Sequence, residues 1–244
     1  SGKNGYRVIY KNFPGEKPII IGGETVDGWS LHQGGIYKAF LGTGRSINSL
    51  YESHKRQTLA RTPNEGYFHS EGGNADSIIF KEGQVPQFDY SQAQMLVWVG
   101  EGNWNWFAEN VKIKSIDWAT RTITSKYSFF AQNTFNNRYY LQGAYEFLDS
   151  PGEFFYNRDD GYLYYWPVEG APETMQVVVP SVKTVISFQG SSMNTPAENI
   201  CMEGISICMN DRNDSVVMTG SSSAEPGYDR REALIYFENS RSST

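Results

Sequence analysis

Residues 152–167 read GEFFYNRDDGYLYYWP, two aromatic runs on either side of Asp160-Gly161. Asp-Gly between strand-forming residues is the strongest short-range sign of a β-hairpin, because Gly accepts the positive φ that a tight turn demands. Working outward, short strand-like runs recur at 35–40, 77–80, 94–99, 111–118 and 122–127. Strands at this spacing predict a β-sandwich or barrel-like domain over residues 28–170. One helical pattern interrupts them. Tyr140, Ala144, Phe147 and Leu148 share a face at helical spacing, which predicts a short helix over 140–148.

Beyond Pro167 the rhythm changes. Runs of four or five residues at 175–179, 184–188, 199–202, 205–208 and 233–237 are cut by abrupt turns at Pro180-Ser181, Gly190 and Gly204. A parallel β-helix has this signature, since each coil bends sharply and buries its small apolar side chains only against neighbouring coils. On the N-terminal side, runs at 6–10 and 18–21 flank Pro14-Gly15, a turn dipeptide. The expected fold is therefore all-β. Residues 1–27 supply the first coil strands, 28–170 form an inserted β-rich domain, and 171–244 continue the coils, with a long polar loop at 210–231. The run at 233–237 opens one more coil just before Thr244. An uncovered coil edge leaves backbone groups unpaired, so the chain reads as a fragment that partners the remainder of its own β-helix. Within AENICMEGISIC (197–208), the expectation turns Ile200, Met202, Ile205 and Ile207 inward and leaves Cys201 and Cys208 outward as free thiols.

Charge and composition narrow the function. The net charge is -6 and no Lys/Arg run offers a local exception, which argues against nucleic acid. No stretch of about 18 apolar residues exists to span a membrane. His32, His54 and His69 lack the spacing of a metal site, so no metal is expected.

Four strings carry a family likeness: PGEKPIIIGGE (14–24), LARTPNEGYF (59–68), RYYLQGAYEFLDSPGEFFYNRDDGYLYYWP (138–167) and AENICMEGISIC. Together they resemble the right-handed parallel β-helix proteins of glycoside hydrolase family 141, in which an extra β-domain interrupts an early coil. The Arg61-Thr62-Pro63-Asn64 and Leu163-Tyr164-Tyr165-Trp166-Pro167 strings are the most specific marks. The resemblance implies a secreted, periplasmic or cell-surface enzyme that cleaves glycosidic bonds in polysaccharides or oligosaccharides. It also implies a longer chain whose catalytic acids lie on later coils, so it assigns no catalytic residue here.

Most glycoside hydrolases need two carboxylates, about 5–5.5 Å apart for retention or about 6.5–9.5 Å for inversion. Asp211 and Asp214, on the long loop, are the candidates able to overhang a groove; loop solubility is the bland alternative. Glu203, before the Gly204 bend, reads as a turn residue. For substrate binding, Trp104 and Trp106 in EGNWNWFAEN (101–110) fall on one face of a strand, and flat indoles stack on sugar C–H faces. Both rings filling the core is the rival reading. Arg61 is expected to tie its loop to a carboxylate. Two further functions stay open: a non-catalytic carbohydrate-binding or adhesin module, and a β-helix polysaccharide lyase, for which Ca²⁺ would be a cofactor. No cofactor is expected otherwise.

Overall fold

The computed structural model describes residues 1–2, 5–100, 108–129, 131–211 and 233–243. Regular structure among them is strand, apart from two three-residue 3-10 turns at Tyr145–Phe147 and Pro172–Thr174. The chain is all-β, as expected, and its larger sheets are mostly antiparallel. It divides into two compact units, one holding described residues of 1–25, 177–213 and 229–244, the other holding 26–176.

In the unit formed by 26–176, the 152–167 stretch is a hairpin of Glu153–Tyr156 and Tyr162–Tyr165, with Phe155 opposite Tyr164. Its turn is wider than two residues. Asn157 N donates to Tyr162 O and Gly161 N donates to Asn157 O, both at 2.9 Å. The Asn157 and Asp160 side chains accept from Asp159 N and Tyr162 N, so two Asx bonds stabilise the extra residues. Gly161 carries φ +76° with Gly42 packed against it, a place where no Cβ fits. The hairpin lies within a five-stranded sheet, between Thr58–Leu59 and the Ser30–Gln33 and Ile36–Phe40 pair.

A larger sheet of the same unit runs through Phe68–His69, Arg138–Gln142, Gln94–Trp98, Ala108–Asp117, Thr122–Ser125, Ser77–Ile79 and Gly72–Gly73, with Arg61–Thr62 also paired to Arg138–Gln142. Burial alternates along these strands, as period-two side chains require. Ile78, Met95, Val97, Ile123, Tyr139 and Leu141 face inward and, with Phe80, Phe88, Phe147 and Phe155, form the core.

The expected helix over 140–148 is not there. Arg138–Gln142 is extended because strands on both sides offer it ladder partners. Gly143, at φ +77°, ends the strand, and only Tyr145–Phe147 turns. Tertiary hydrogen bonding overrides a spacing that carries little intrinsic helix stability at this length.

In the other unit, four strand pairs are parallel: Val8–Lys11 with Ile200–Glu203, Ile19–Ile21 with Ser206–Cys208, Ile186–Gln189 with Ile235–Glu238, and Ala197–Glu198 with Ser240–Arg241. Gly23–Thr25 pairs antiparallel with Val177–Pro180, whose three valines are fully buried. The bends between strands are single residues at positive φ: Asn199 (55°), Gly204 (67°), Met209 (60°) and Asn239 (47°). Asparagine adopts this region more readily than most residues, and its amide adds a bond here. Asn199 donates to Gly2 O and Asn239 to Gly190 O, each reaching the neighbouring layer. Across layers Phe188 stacks on Phe237 with centroids 4.8 Å apart and planes 9° from parallel. Both cysteines are free. Cys201 is buried rather than outward, a correction to the expected facing: its Sγ donates to Glu203 Oε1 at 3.4 Å.

Candidate functional site

The larger sheet sends one set of side chains to the core and the alternate set to its other face. Val97 lies opposite Tyr139 and Met95 opposite Leu141, all four fully buried. The intervening Leu96, Trp98, Arg138 and Tyr140 therefore project away from the core. Tyr67, from the turn that follows Arg61–Thr62, joins them. Its ring meets Trp98 edge-on, with centroids 4.7 Å apart at 76°, and lies 6.4 Å from Tyr140. Two guanidinium groups interleave with these rings. Arg138 sits 4.8 Å from the Trp98 centroid and 5.4 Å from that of Tyr67, and Arg61 sits 3.8 Å from that of Tyr140.

The two arginines differ in what remains free. Arg61 donates from Nε to Pro63 O at 2.9 Å and from a terminal nitrogen to Gly66 O at 2.6 Å. Its guanidinium ties the loop through carbonyls, and the expected carboxylate is met by its backbone N–H, which donates to Glu153 Oε1 at 3.2 Å. Asn64 in this loop donates from Nδ2 to Asp149, from a distant segment, at 2.7 Å. Arg138 has no hydrogen-bond or ion-pair partner for its guanidinium among the described residues, and only the two rings engage it. Beside this group lies an amide cluster. Asn110 donates to Gln94 Oε1 at 2.6 Å, and Gln142 donates to Gln94 Oε1 and Asn110 Oδ1 at 3.2 Å each. Gln94 also lines a recess with Gln92, Asn48, Tyr156 and Arg158, whose volume of about 10 Å³ suits a single water.

A second aromatic group, on the five-stranded sheet, is closed by its own partners. Tyr145 and Tyr164 meet edge-on at 5.1 Å, and His32 contacts both. Gln33 donates to the Tyr145 hydroxyl at 2.9 Å, and Tyr164 donates to Asp160 at 3.2 Å. Burial, with the Asp160 charge beside it, pushes the Tyr164 hydroxyl up to about 12, so it stays a donor at neutral pH. Lys38 lies 4.9 Å from the Tyr162 centroid.

Of the residues singled out from sequence, Asp211 is half-buried, and its backbone N donates to Val182 O at 2.9 Å. Asn210 next to it donates to Lys183 O at 2.9 Å, so this end of the loop is pinned to 182–183. Asp214, Trp104 and Trp106 lie outside the described residues. Sequence reading took indoles from 101–110 and passed over Trp98, Tyr67, Tyr140 and Arg138. The signal was available: in QMLVW and RYYLQ, the residues alternating with core positions include Trp98, Arg138 and Tyr140. Among the described residues no cluster of three or more His, Cys, Asp or Glu has metal-site geometry. No helix there is long and apolar enough to cross a membrane.

Known proteins give two kinds of match. Residues 118–168 match the model of the GH141 insertion domain. No curated protein matches the sequence significantly. Among solved structures, one titled "Glycoside hydrolase" superimposes with a TM-score of 0.70 at 20% identity, over 86% of this chain. The chain spans 39% of that protein's length. A second, "The complex structure of XylC with xylose", aligns over 84% of this chain and 26% of its own, with a TM-score of 0.34 at 12% identity. The chain thus shares its fold with a glycoside hydrolase and resembles family 141, whose insertion domain it matches over 118–168.

Proposed function

We propose that this chain is the N-terminal portion of a secreted carbohydrate-active enzyme, a glycoside hydrolase acting on complex polysaccharide. In this reading the unit of parallel pairs is the first coils of a right-handed parallel β-helix. The unit formed by 26–176 is the inserted domain that walls a substrate groove, and the catalytic acids belong to later coils. The observation that carries it is the stacking of successive layers, Val8–Lys11 on Ile200–Glu203 and Ile186–Gln189 on Ile235–Glu238, in a chain whose intervening segment matches the GH141 insertion domain. In a solenoid each layer buries apolar side chains against the next, as Phe188 does against Phe237. The test compares residues 1–244 with the longer natural chain for release of reducing ends from plant and microbial polysaccharides. Turnover by the longer chain only is the expected result; turnover by 1–244 alone would overturn the placement of the acids.

The exposed aromatic face supports a second reading, a carbohydrate-binding module with no acid pair. It expects this chain alone to be retained on glycan columns, with retention weakened by Tyr67→Ala or Trp98→Ala.

A further inference from the structure

We infer that Trp98, Tyr67 and Arg138 form a binding subsite for an acidic sugar, a pyranose bearing a carboxylate, within a polysaccharide chain. The inference rests on the carbohydrate reading above and names the ligand class at a site that reading leaves unassigned.

Two features of the geometry point to this ligand. A guanidinium stacked on aromatic rings commits its faces and keeps its in-plane N–H edge, the edge that matches a carboxylate with two parallel bonds. Arg138 lies over the Trp98 ring at 4.8 Å, with the nearly perpendicular Tyr67 ring 5.4 Å from the same guanidinium, and no acidic residue engages it among the described residues. An arginine serving only the fold would be spent as Arg61 is, on Pro63 O and Gly66 O, although it too lies over a ring. Second, Tyr67, beside the cation, is 42% exposed, so part of its side chain is available to a sugar. The chain's net charge of -6 opposes an acidic polymer at long range. Selection for a carboxylate has to come from a short-range, oriented donor, and Arg138 is one. A sulfate ester, the other anionic group that sugars commonly carry, also offers two oxygens to the fork, so a sulfated probe tells the two apart.

The experiment uses the full chain and isothermal titration calorimetry at low salt. The probes are a galacturonic acid hexamer, the same hexamer with its carboxyls reduced to alcohols, and a sulfated hexamer of equal charge. Wild type binds the acidic hexamer at least tenfold more tightly than the reduced one. Arg138→Ala removes that difference, Arg138→Lys restores only part of it, and Tyr67→Ala weakens the acidic and reduced hexamers alike. Arg138→Gln, which keeps a flat polar group on the rings, serves if the alanine variant is not folded by circular dichroism. Equal binding of acidic and reduced hexamers, an undiminished preference in both Arg138→Ala and Arg138→Gln, tighter binding of the sulfated probe, or binding of none of the three each overturns the inference. Cleavage by the longer chain is scored separately, so loss of the acid preference leaves the hydrolase reading intact.

Discussion

At the scale of single residues, the unit formed by 26–176 relies on buried carboxylates that organise backbone. Glu153 is 3% exposed and accepts from the backbone N–H groups of Arg61, Asp149 and Ser150 at 3.1–3.2 Å. Loss of hydration outweighs those donors and pushes its carboxyl up to about 7 from an ordinary value of 4.5. The folded state then holds a proton that the unfolded chain releases. Stability from this group is complete below about pH 4.5 and is lost as pH rises through 7. Thermal unfolding from pH 4.5 to 8 should show wild-type stability falling across that window, with a shallower fall in Glu153→Gln. Identical slopes in the two proteins would mean that Glu153 does not titrate there. The Tyr165 hydroxyl donates to buried Glu52, and burial together with that carboxylate drives the phenol upward, fixing it as donor.

Elements differ in how locally they are specified. The 152–167 hairpin closes on itself, and its glycine and two Asx bonds lie within residues 157–162. The parallel layers are the opposite case, each strand waiting for a partner from a distant part of the chain. Their cross-layer anchor is the Phe188–Phe237 stack. Phe188 is 9% exposed and Phe237 47%, so the two truncations should be unequal. Phe188→Ala is expected to cost about 3 kcal/mol, close to a buried aromatic truncation. Phe237→Ala forfeits little beyond the ring contact, about 1 kcal/mol. Urea unfolding followed by amide exchange in Ile186–Gln189 measures both, and equal costs would show that the stack is not what holds these layers.

The whole molecule is a local domain set inside a non-local one. Every partner in the large antiparallel sheet comes from 61–142, whereas Val8 must find Ile200 across the length of the other unit. Late closure of such ladders is the expected cost of high sequence separation. Residues 26–176 expressed alone should fold cooperatively, with the near-ultraviolet signature of a packed aromatic core; a non-cooperative melt would show that the core depends on the 1–25 and 177–244 segments. Much of this architecture was legible in the residues themselves. Alternation, Gly and Pro punctuation and the 152–167 aromatics specify strands and hairpins, because side-chain period and turn φ are local properties. They also located the short runs that become parallel layers. Tertiary structure alone decided that 138–142 is strand rather than helix, since its flanking strands supply the hydrogen bonds. Tertiary structure also turned Cys201 inward and brought Tyr67, Trp98 and Arg138, from three separate segments, onto one face. That gathering depends on which strands pair and in what register, and pairing energy is shared among distant residues that no single stretch of sequence contains.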